Sequence, residues 1–252
     1  MEMTPYAVET RALVKEFSGF RAVDSVDLRL DAGRVHALVG PNGAGKTSLF
    51  NLLTGFLRPT AGRILLFGQD STGLSPEKIA RRGVARSFQI TSLFDHLTAI
   101  EHTALALQAA STLGFRFWMS DRALGRFHDR ARSLLADVGL DELASRPAGS
   151  LPYGQKRALE LALAIALDPR LLLLDEPTAG MGLEDVRRTI ELIRRLRVGR
   201  TVVLVEHNMG VVAELADQVI VLQQGRVIAQ GAYAAVRENP AVVIAYLGQS
   251  HG

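Results

Sequence analysis

The chain has 252 residues, a formal net charge of +3, 48% hydrophobic residues and no cysteine. The length allows one large α/β domain or two small ones, and the apolar content is ample for a sizeable core. Without cysteine there is no disulfide framework and no cysteine-based metal site.

Met1 to Pro5 lacks the basic and apolar regions of a signal peptide, and the longest fully apolar runs, such as Leu161 to Leu167, are far too short to span a membrane. The expectation is a cytosolic protein that leaves any membrane crossing to other subunits. Arg187, Arg188, Arg194, Arg195 and Arg197 share one predicted helix with Ile190, Leu192, Ile193 and Leu196. That pattern reads as a solvated face rather than a nucleic-acid footprint.

Along the chain, Val8 to Val14 and Val23 to Leu30 alternate apolar and polar residues, as half-exposed strands do. Between them Phe17-Ser-Gly-Phe20 is a turn carrying two aromatics. Val35 to Val39 is a short buried strand that breaks at Gly40-Pro-Asn-Gly-Ala-Gly-Lys-Thr-Ser48, and Thr47 to Thr54 is an amphipathic helix stopped by Gly55. Pro59 to Gly62 is a turn, Arg63 to Phe67 a strand, and Ser75-Pro76 a helix start. Val84 to Phe88 reads as a strand ending on Gln89.

From Ser92 to about Ala148 the pattern turns helical. Thr98-Ala-Ile-Glu101 is a capping box opening a helix through about Ala110. Phe115, Phe117 and Trp118 form an aromatic cluster, either a docking surface or core of this insert, ahead of a helix from Asp121 to Val138. Leu151 to Gln155 reads as a tight turn before a helix from Lys156 to Leu167. Leu171 to Leu174 is the pattern of a parallel strand buried on both faces. A helix (Leu183 to Arg197), a strand (Thr201 to Val205), a short helix (Met209 to Ala216) and a strand (Val219 to Gln223) follow. Gln224-Gly225 then turns a hairpin into Val227 to Gln230, and Asn239 to Gly248 is a terminal helix.

Strand, G-x-x-x-x-G-K-T and helix form a phosphate-binding loop in its required context. Gly40, Gly43 and Gly45 let the backbone curl so that N–H groups converge on phosphate oxygens at a helix N-terminus. The sequence holds 25 Arg and 4 Lys, so a lysine at position 46 stands out. A compact ammonium suits a cradle of phosphates better than a guanidinium fork. The Thr47 hydroxyl is placed for Mg²⁺. Asp175-Glu176 closes the leucine strand, at the sheet edge where ligands of open parallel sheets bind. Asp175 is then placed to hold Mg²⁺ through water, and Glu176 to polarise an attacking water. His207 and Gln89 end neighbouring strands at the same edge. His36, His96, His102, His128 and His251 show no metal-ligand spacing.

Gly40 to Thr47, Gln89, Leu151-Pro-Tyr-Gly-Gln155, Leu171 to Glu176 and His207 occur in the order found in ABC ATPases, and the chain resembles that family over essentially its whole length. The fold this implies is α/β: a P-loop NTPase core of the ABC type with an antiparallel β subdomain and an inserted α-helical subdomain. One nucleotide-binding domain would span the chain, about 1–91 and 156–252 forming core and β subdomain, and about 92–155 the helical subdomain with the signature motif. By resemblance, Gly40, Asn42, Gly43, Ala44, Gly45, Lys46, Thr47 and Ser48 bind ATP, and Thr47, Gln89 and Asp175 surround Mg²⁺. Glu176, His207 and Gln89 serve hydrolysis, with Gln89 also sensing nucleotide for a transmembrane partner. Tyr153, Gly154 and Gln155 reach the γ-phosphate held by a second subunit. Phe17 stacks on adenine, with Phe20 its rival.

More narrowly, Phe17 to Val23, Arg86-Ser-Phe-Gln89, Glu176 to Met181, Val205-Glu-His-Asn-Met209 and Ala245-Tyr-Leu-Gly248 resemble ATP-binding subunits of branched-chain amino acid importers. Urea and short-amide importers share this branch. The resemblance implies permease subunits, a periplasmic or extracellular solute-binding protein and a second ATP-binding subunit, a related chain in preference to a second copy. It also implies a cytoplasmic place against the inner face of the membrane. Two positions depart from the pattern: Pro152 stands where the signature usually has Ser, and Gly182 where Asp or Asn is usual. A soluble ABC ATPase acting on DNA or ribosomes would carry long coiled coils or two cassettes, and this chain has neither. A small-molecule P-loop kinase would leave the signature and His207 without a role.

Overall fold

The computed structural model describes residues 5–87, 93–110 and 121–247. In chain order, β1 (Tyr6–Phe17), β2 (Phe20–Asp31), β3 (Val35–Val39), α1 (Lys46–Leu53), β4 (Ala61–Leu66), β5 (Gln69–Asp70), α2 (Pro76–Ala80) and β6 (Val84–Arg86) precede α3 (Ala99–Ala110) and α4 (Asp121–Asp137). There follow α5 (Tyr153–Ala166), β7 (Leu171–Asp175), α6 (Leu183–Leu196), β8 (Thr201–Val205), α7 (Met209–Leu215), β9 (Gln218–Gln223), β10 (Arg226–Gly231), α8 (Tyr233–Arg237) and α9 (Pro240–Leu247).

Two sheets organise these elements. Four antiparallel strands lie in the order β2-β1-β4-β5, and six lie in the order β10-β9-β3-β8-β7-β6. In the second sheet β9, β3, β8, β7 and β6 are parallel, and only β10 runs against its neighbour. All five residues of β3, β7 and β8 are buried. Because side chains alternate along a strand, Leu171 and Leu173 pack with Leu38, Val203, α1 and the antiparallel sheet. Leu172 and Leu174 face the other way, into a core shared with α5, α6 and α7. The parallel sheet is thus the middle layer, which is why its strands read as unbroken apolar runs.

Register sets the site. Leu38 pairs with Val205 and Asp175 with Val205, so β3, β7 and β8 end level with one another. The residues just beyond them, from Gly40, Glu176 and Glu206 onward, emerge along one edge.

Helices α3, α4 and α5 pack together. The capping box before α3 forms fully: the Thr98 hydroxyl accepts the Glu101 N–H at 3.3 Å while the Glu101 carboxylate accepts the Thr98 N–H at 2.7 Å. Two expectations change. Tyr153, Gly154 and Gln155 are not turn residues but the first turn of α5, which begins three residues before the predicted Lys156. Pro152 is its N-cap at φ −55° and ψ 157°, extended backbone ahead of the helix, and Lys156 N–H donates to the Pro152 carbonyl at 2.9 Å. Gly154, a poor helix former, hides that start from a propensity argument. Ser75 does precede α2 but makes no side-chain capping bond, and the short helix α8 stands between β10 and α9, where no separate helix is expected from the sequence.

Candidate nucleotide site

The loop from Gly40 to Gly45 joins β3 to α1 under tight steric control. Gly45 has φ 101°, and a Cβ there would sit 2.2 Å from the Ala22 carbonyl oxygen of β2. Gly40 has φ 149°, and its Cβ would sit 2.2 Å from the Leu222 carbonyl oxygen of β9. The loop is therefore wedged between the antiparallel sheet and the β9 strand, with no room for side chains at either point. Lys46 is buried and folds back so that Nζ donates to the Gly40 and Pro41 carbonyls at 2.7 and 3.0 Å. Burial lowers its pKa, and the nearby Glu176 and Asp175 carboxylates work in the opposite direction. Asn42, Gly43 and Thr47 are exposed around the loop, Ser48 is half-buried and Ala44 is buried.

Across the edge, Asp175 is buried at the end of β7, and its carboxylate accepts from Arg86 at 2.7 Å. Arg86 also donates to Asn51 of α1 at 2.5 Å, tying three elements together. Glu176 follows with φ 46°, in the left-handed region that costs a non-glycine residue about 1–2 kcal/mol. Its N–H donates to Val205 at 3.0 Å and its carbonyl accepts from Ala179 at 3.1 Å. Strain held in place by surrounding bonds is common at functional sites. Here it turns the Glu176 carboxylate toward His207, whose Nε2 lies 3.2 Å away. The expected convergence of Lys46, Asp175, Glu176 and His207 on one edge is thus present in the geometry.

Tyr153 opens α5, and its hydroxyl donates to the Ala179 carbonyl at 3.3 Å, so this helix start is tethered to the loop following Glu176. Gly154 lies against Asp185 in the first turn of α6, where a Cβ would approach the carboxylate to 3.1 Å. Gly182, flagged for lacking Asp or Asn, is the N-cap of α6 and brings no side-chain cap.

Phe17 and Phe20 flank the tip of the β1–β2 hairpin, both exposed at 42% and 64%. Lys15 Nζ rests 4.8 Å from the Phe17 ring centroid, so one face of that ring has a neighbour. Phe20 instead lines a cavity of about 480 Å³ between the hairpin and the Gln223-Gln224 turn. Gln89, the aromatic cluster at Phe115, Phe117 and Trp118, Gly248 and His251 lie outside the described residues. His36 and His102 are buried and hydrogen-bonded to backbone groups.

Two side chains that sequence reasoning quoted but gave no role are central: Arg86 and Glu206. Arg86 is a charge on a strand otherwise buried, and Glu206 a carboxylate directly after five buried residues of β8. A charge in such a place needs a partner, which was the available signal.

A glycine-wrapped lysine loop on a parallel sheet, facing paired carboxylates at the strand ends, defines a P-loop NTPase fold and site. The chain belongs to the ABC transporter family, whose model matches residues 23–179. A second model, described as a branched-chain amino acid ATP-binding cassette transporter, matches residues 226–252. The chain is 40% identical over 250 residues to the high-affinity branched-chain amino acid transport ATP-binding protein BraF of Pseudomonas aeruginosa, covering 96% of this chain and 98% of BraF. It is 40% identical over 260 residues to LivG of Escherichia coli, covering 98% and 100%. Among solved structures, a nucleotide-free ATP-binding cassette from an ABC transporter matches with TM-score 0.86 at 27% identity, covering 97% of this chain and 100% of that one. The ADP conformation of the cassette MJ1267 matches with TM-score 0.86 at 28% identity, covering 98% and 100%. Among the described residues no helix is long and apolar enough to cross a membrane.

Proposed function

We propose that this chain is the ATP-binding and ATP-hydrolysing subunit of an importer for branched-chain amino acids, acting through separate permease subunits on the cytoplasmic face of the membrane. The observation that carries the catalytic reading is the Glu176–His207 contact of 3.2 Å at the edge where Lys46 and Asp175 also converge. Full-length similarity to BraF and LivG, with the C-terminal family match, supports the solute class.

In this reading the backbone N–H groups of Gly43 and Gly45 and the Lys46 ammonium hold the β- and γ-phosphates, with Asn42, Ala44, Thr47 and Ser48 completing the cradle. Phe17 or Phe20 stacks on the base. Glu176 orients and polarises the attacking water as general base, and His207, with Nε2 3.2 Å from its carboxylate, holds that carboxylate in place and faces the γ-phosphate. Phosphoryl transfer asks mainly for positioning and charge stabilisation, which fits a strained, heavily tethered Glu176.

Mg²⁺ fits the donors present. The Thr47 hydroxyl and Asp175 carboxylate are hard oxygen ligands. That is the set expected for an ion sharing its shell with substrate phosphates and water. Thr47, Asp175 and Gln89 would hold it, and when bound it neutralises charge between the phosphates.

One loop and one signature per chain make half of each of two composite sites, so a second ATP-binding subunit is proposed, a related chain ahead of a second copy. Tyr153, Gly154 and Gln155 then present the start of α5 to the partner-bound γ-phosphate. Pro152 offers that phosphate neither hydroxyl nor N–H, and it leaves the first turn of α5 without a side-chain cap. Pro152→Ser is expected to raise ATP turnover several-fold at the site completed by this signature, toward the order of 10² that one preorganised donor can supply. The rate is read with the partner's own signature disabled. An unchanged rate would assign Pro152 to stiffening the helix entry alone.

The proposed solute is tested by deleting the chain's gene in its host and following uptake of labelled leucine and urea. Loss of leucine uptake with urea uptake intact is expected. The reverse pattern would place the chain in the urea and short-amide branch.

A further inference from the structure

Glu206 belongs to neither the phosphate loop nor the Glu176–His207 pair, yet it is buried. Among the described residues no Lys, Arg or His side-chain nitrogen lies within ion-pair distance of its carboxylate. Four hydrogen-bond donors surround it instead. One oxygen accepts the Thr178 hydroxyl at 2.6 Å and the Thr178 N–H at 3.0 Å. The other accepts the His207 N–H at 3.2 Å and the Asn208 N–H at 3.4 Å.

These donors belong to two different loops. Thr178 lies two residues beyond Glu176, in the turn that keeps Glu176 at its left-handed φ of 46°. His207 carries the imidazole that meets the Glu176 carboxylate at 3.2 Å. A single carboxylate therefore holds the backbone behind Glu176 with one oxygen and the backbone of His207 with the other. Uncompensated burial of a carboxylate is unfavourable, so a fold that needed only packing here would use an apolar side chain. The four converging donors stabilise the charge where it bridges the two loops.

We propose that Glu206 is a positioning residue for ATP hydrolysis, a clamp that sets the distance and orientation of Glu176 relative to His207 without touching the nucleotide. The inference rests on the reading of Glu176 as the base. A neutral amide does not preserve the clamp. In Glu206→Gln the amide NH₂ must face either two backbone N–H groups or the N–H and hydroxyl of Thr178, and at least one donor is left without an acceptor. Displacements of about 1 Å at a catalytic pair can lower a rate by roughly 10²-fold while leaving substrate affinity alone.

The test uses the full chain together with its second ATP-binding subunit and measures ATP affinity, kcat and KM, and thermal stability for Glu206→Gln, Thr178→Val, the double variant and Glu176→Gln. Glu206→Gln is expected to keep ATP affinity and KM within about twofold while kcat falls roughly 10–100-fold. Thr178→Val keeps the shape of Thr178 and removes only the 2.6 Å bond, so kcat should fall in the same direction by less. The double variant should be no slower than Glu206→Gln alone, because both act through one contact. Equal losses in kcat and ATP affinity would reveal a general structural role and overturn the proposal, as would unchanged kcat in folded Thr178→Val. If Glu206→Gln does not fold, Thr178→Val decides. An inactive Glu176→Gln beside a fully active Glu206→Gln would remove the clamp and keep the base. A fully active Glu176→Gln would remove both.

Discussion

Glu176→Gln is expected to bind ATP as the unsubstituted chain does and to lower turnover by roughly 10²-fold or more, since the amide keeps the size and hydrogen bonding of the side chain but cannot accept the proton of the attacking water. Nucleotide is then expected to persist at the site, and with it the proposed pairing of this chain with a second ATP-binding subunit. Sedimentation of the substituted chain with that subunit should therefore show an ATP-dependent dimer. Turnover at the unsubstituted rate would show that another group acts as the base, and absence of ATP-dependent association would count against composite sites. The geometry makes the first expectation specific to Glu176. Asp175, one residue earlier, gives one carboxylate oxygen to Arg86 at 2.7 Å and is assigned to Mg²⁺, whereas Glu176 is turned by its backbone toward His207.

Gly45→Ala is expected to have the second large effect, on binding and stability together. The added methyl would stand 2.2 Å from the Ala22 carbonyl oxygen, at a φ of 101° that an L side chain rarely adopts. Strained backbone and overpacking each cost about 1–3 kcal/mol. Relief requires moving the loop away from β2, which also moves the N–H groups from the phosphates. The expected outcome is a midpoint several degrees lower in thermal melting, with ATP affinity down by at least tenfold. Wild-type affinity and melting would mean that the loop is not wedged against β2.

Much of this arrangement was legible in the sequence because the physics was local. Gly40, Gly43 and Gly45 declare a curled backbone, Leu171 to Leu174 declares a strand covered on both faces, and Ser18-Gly19 and Gln224-Gly225 declare two-residue hairpin turns at positive φ. The Asp175-Glu176 pair and His207 could be assigned to one edge because a parallel sheet presents all its strand ends together. What stayed hidden depends on long-range pairing. Nothing near Arg86 in the sequence announces Asp175, and nothing near Glu206 announces Thr178. The start of α5 was misplaced for a different reason: Pro152 and Gly154 both argue for a turn, while the tether from Tyr153 to Ala179 and the packing of Gly154 on Asp185 lie in distant segments.

The central claim is that the Lys46 loop at the strand ends is the nucleotide site, and calorimetric titration of the full chain with ATP in the presence of Mg²⁺ tests it most directly. The unsubstituted chain should bind one nucleotide per chain. Lys46→Ala, which removes charge-assisted hydrogen bonds worth about 1.5–3 kcal/mol, should bind roughly 10- to 100-fold more weakly. Equal affinity in the two chains would contradict the account.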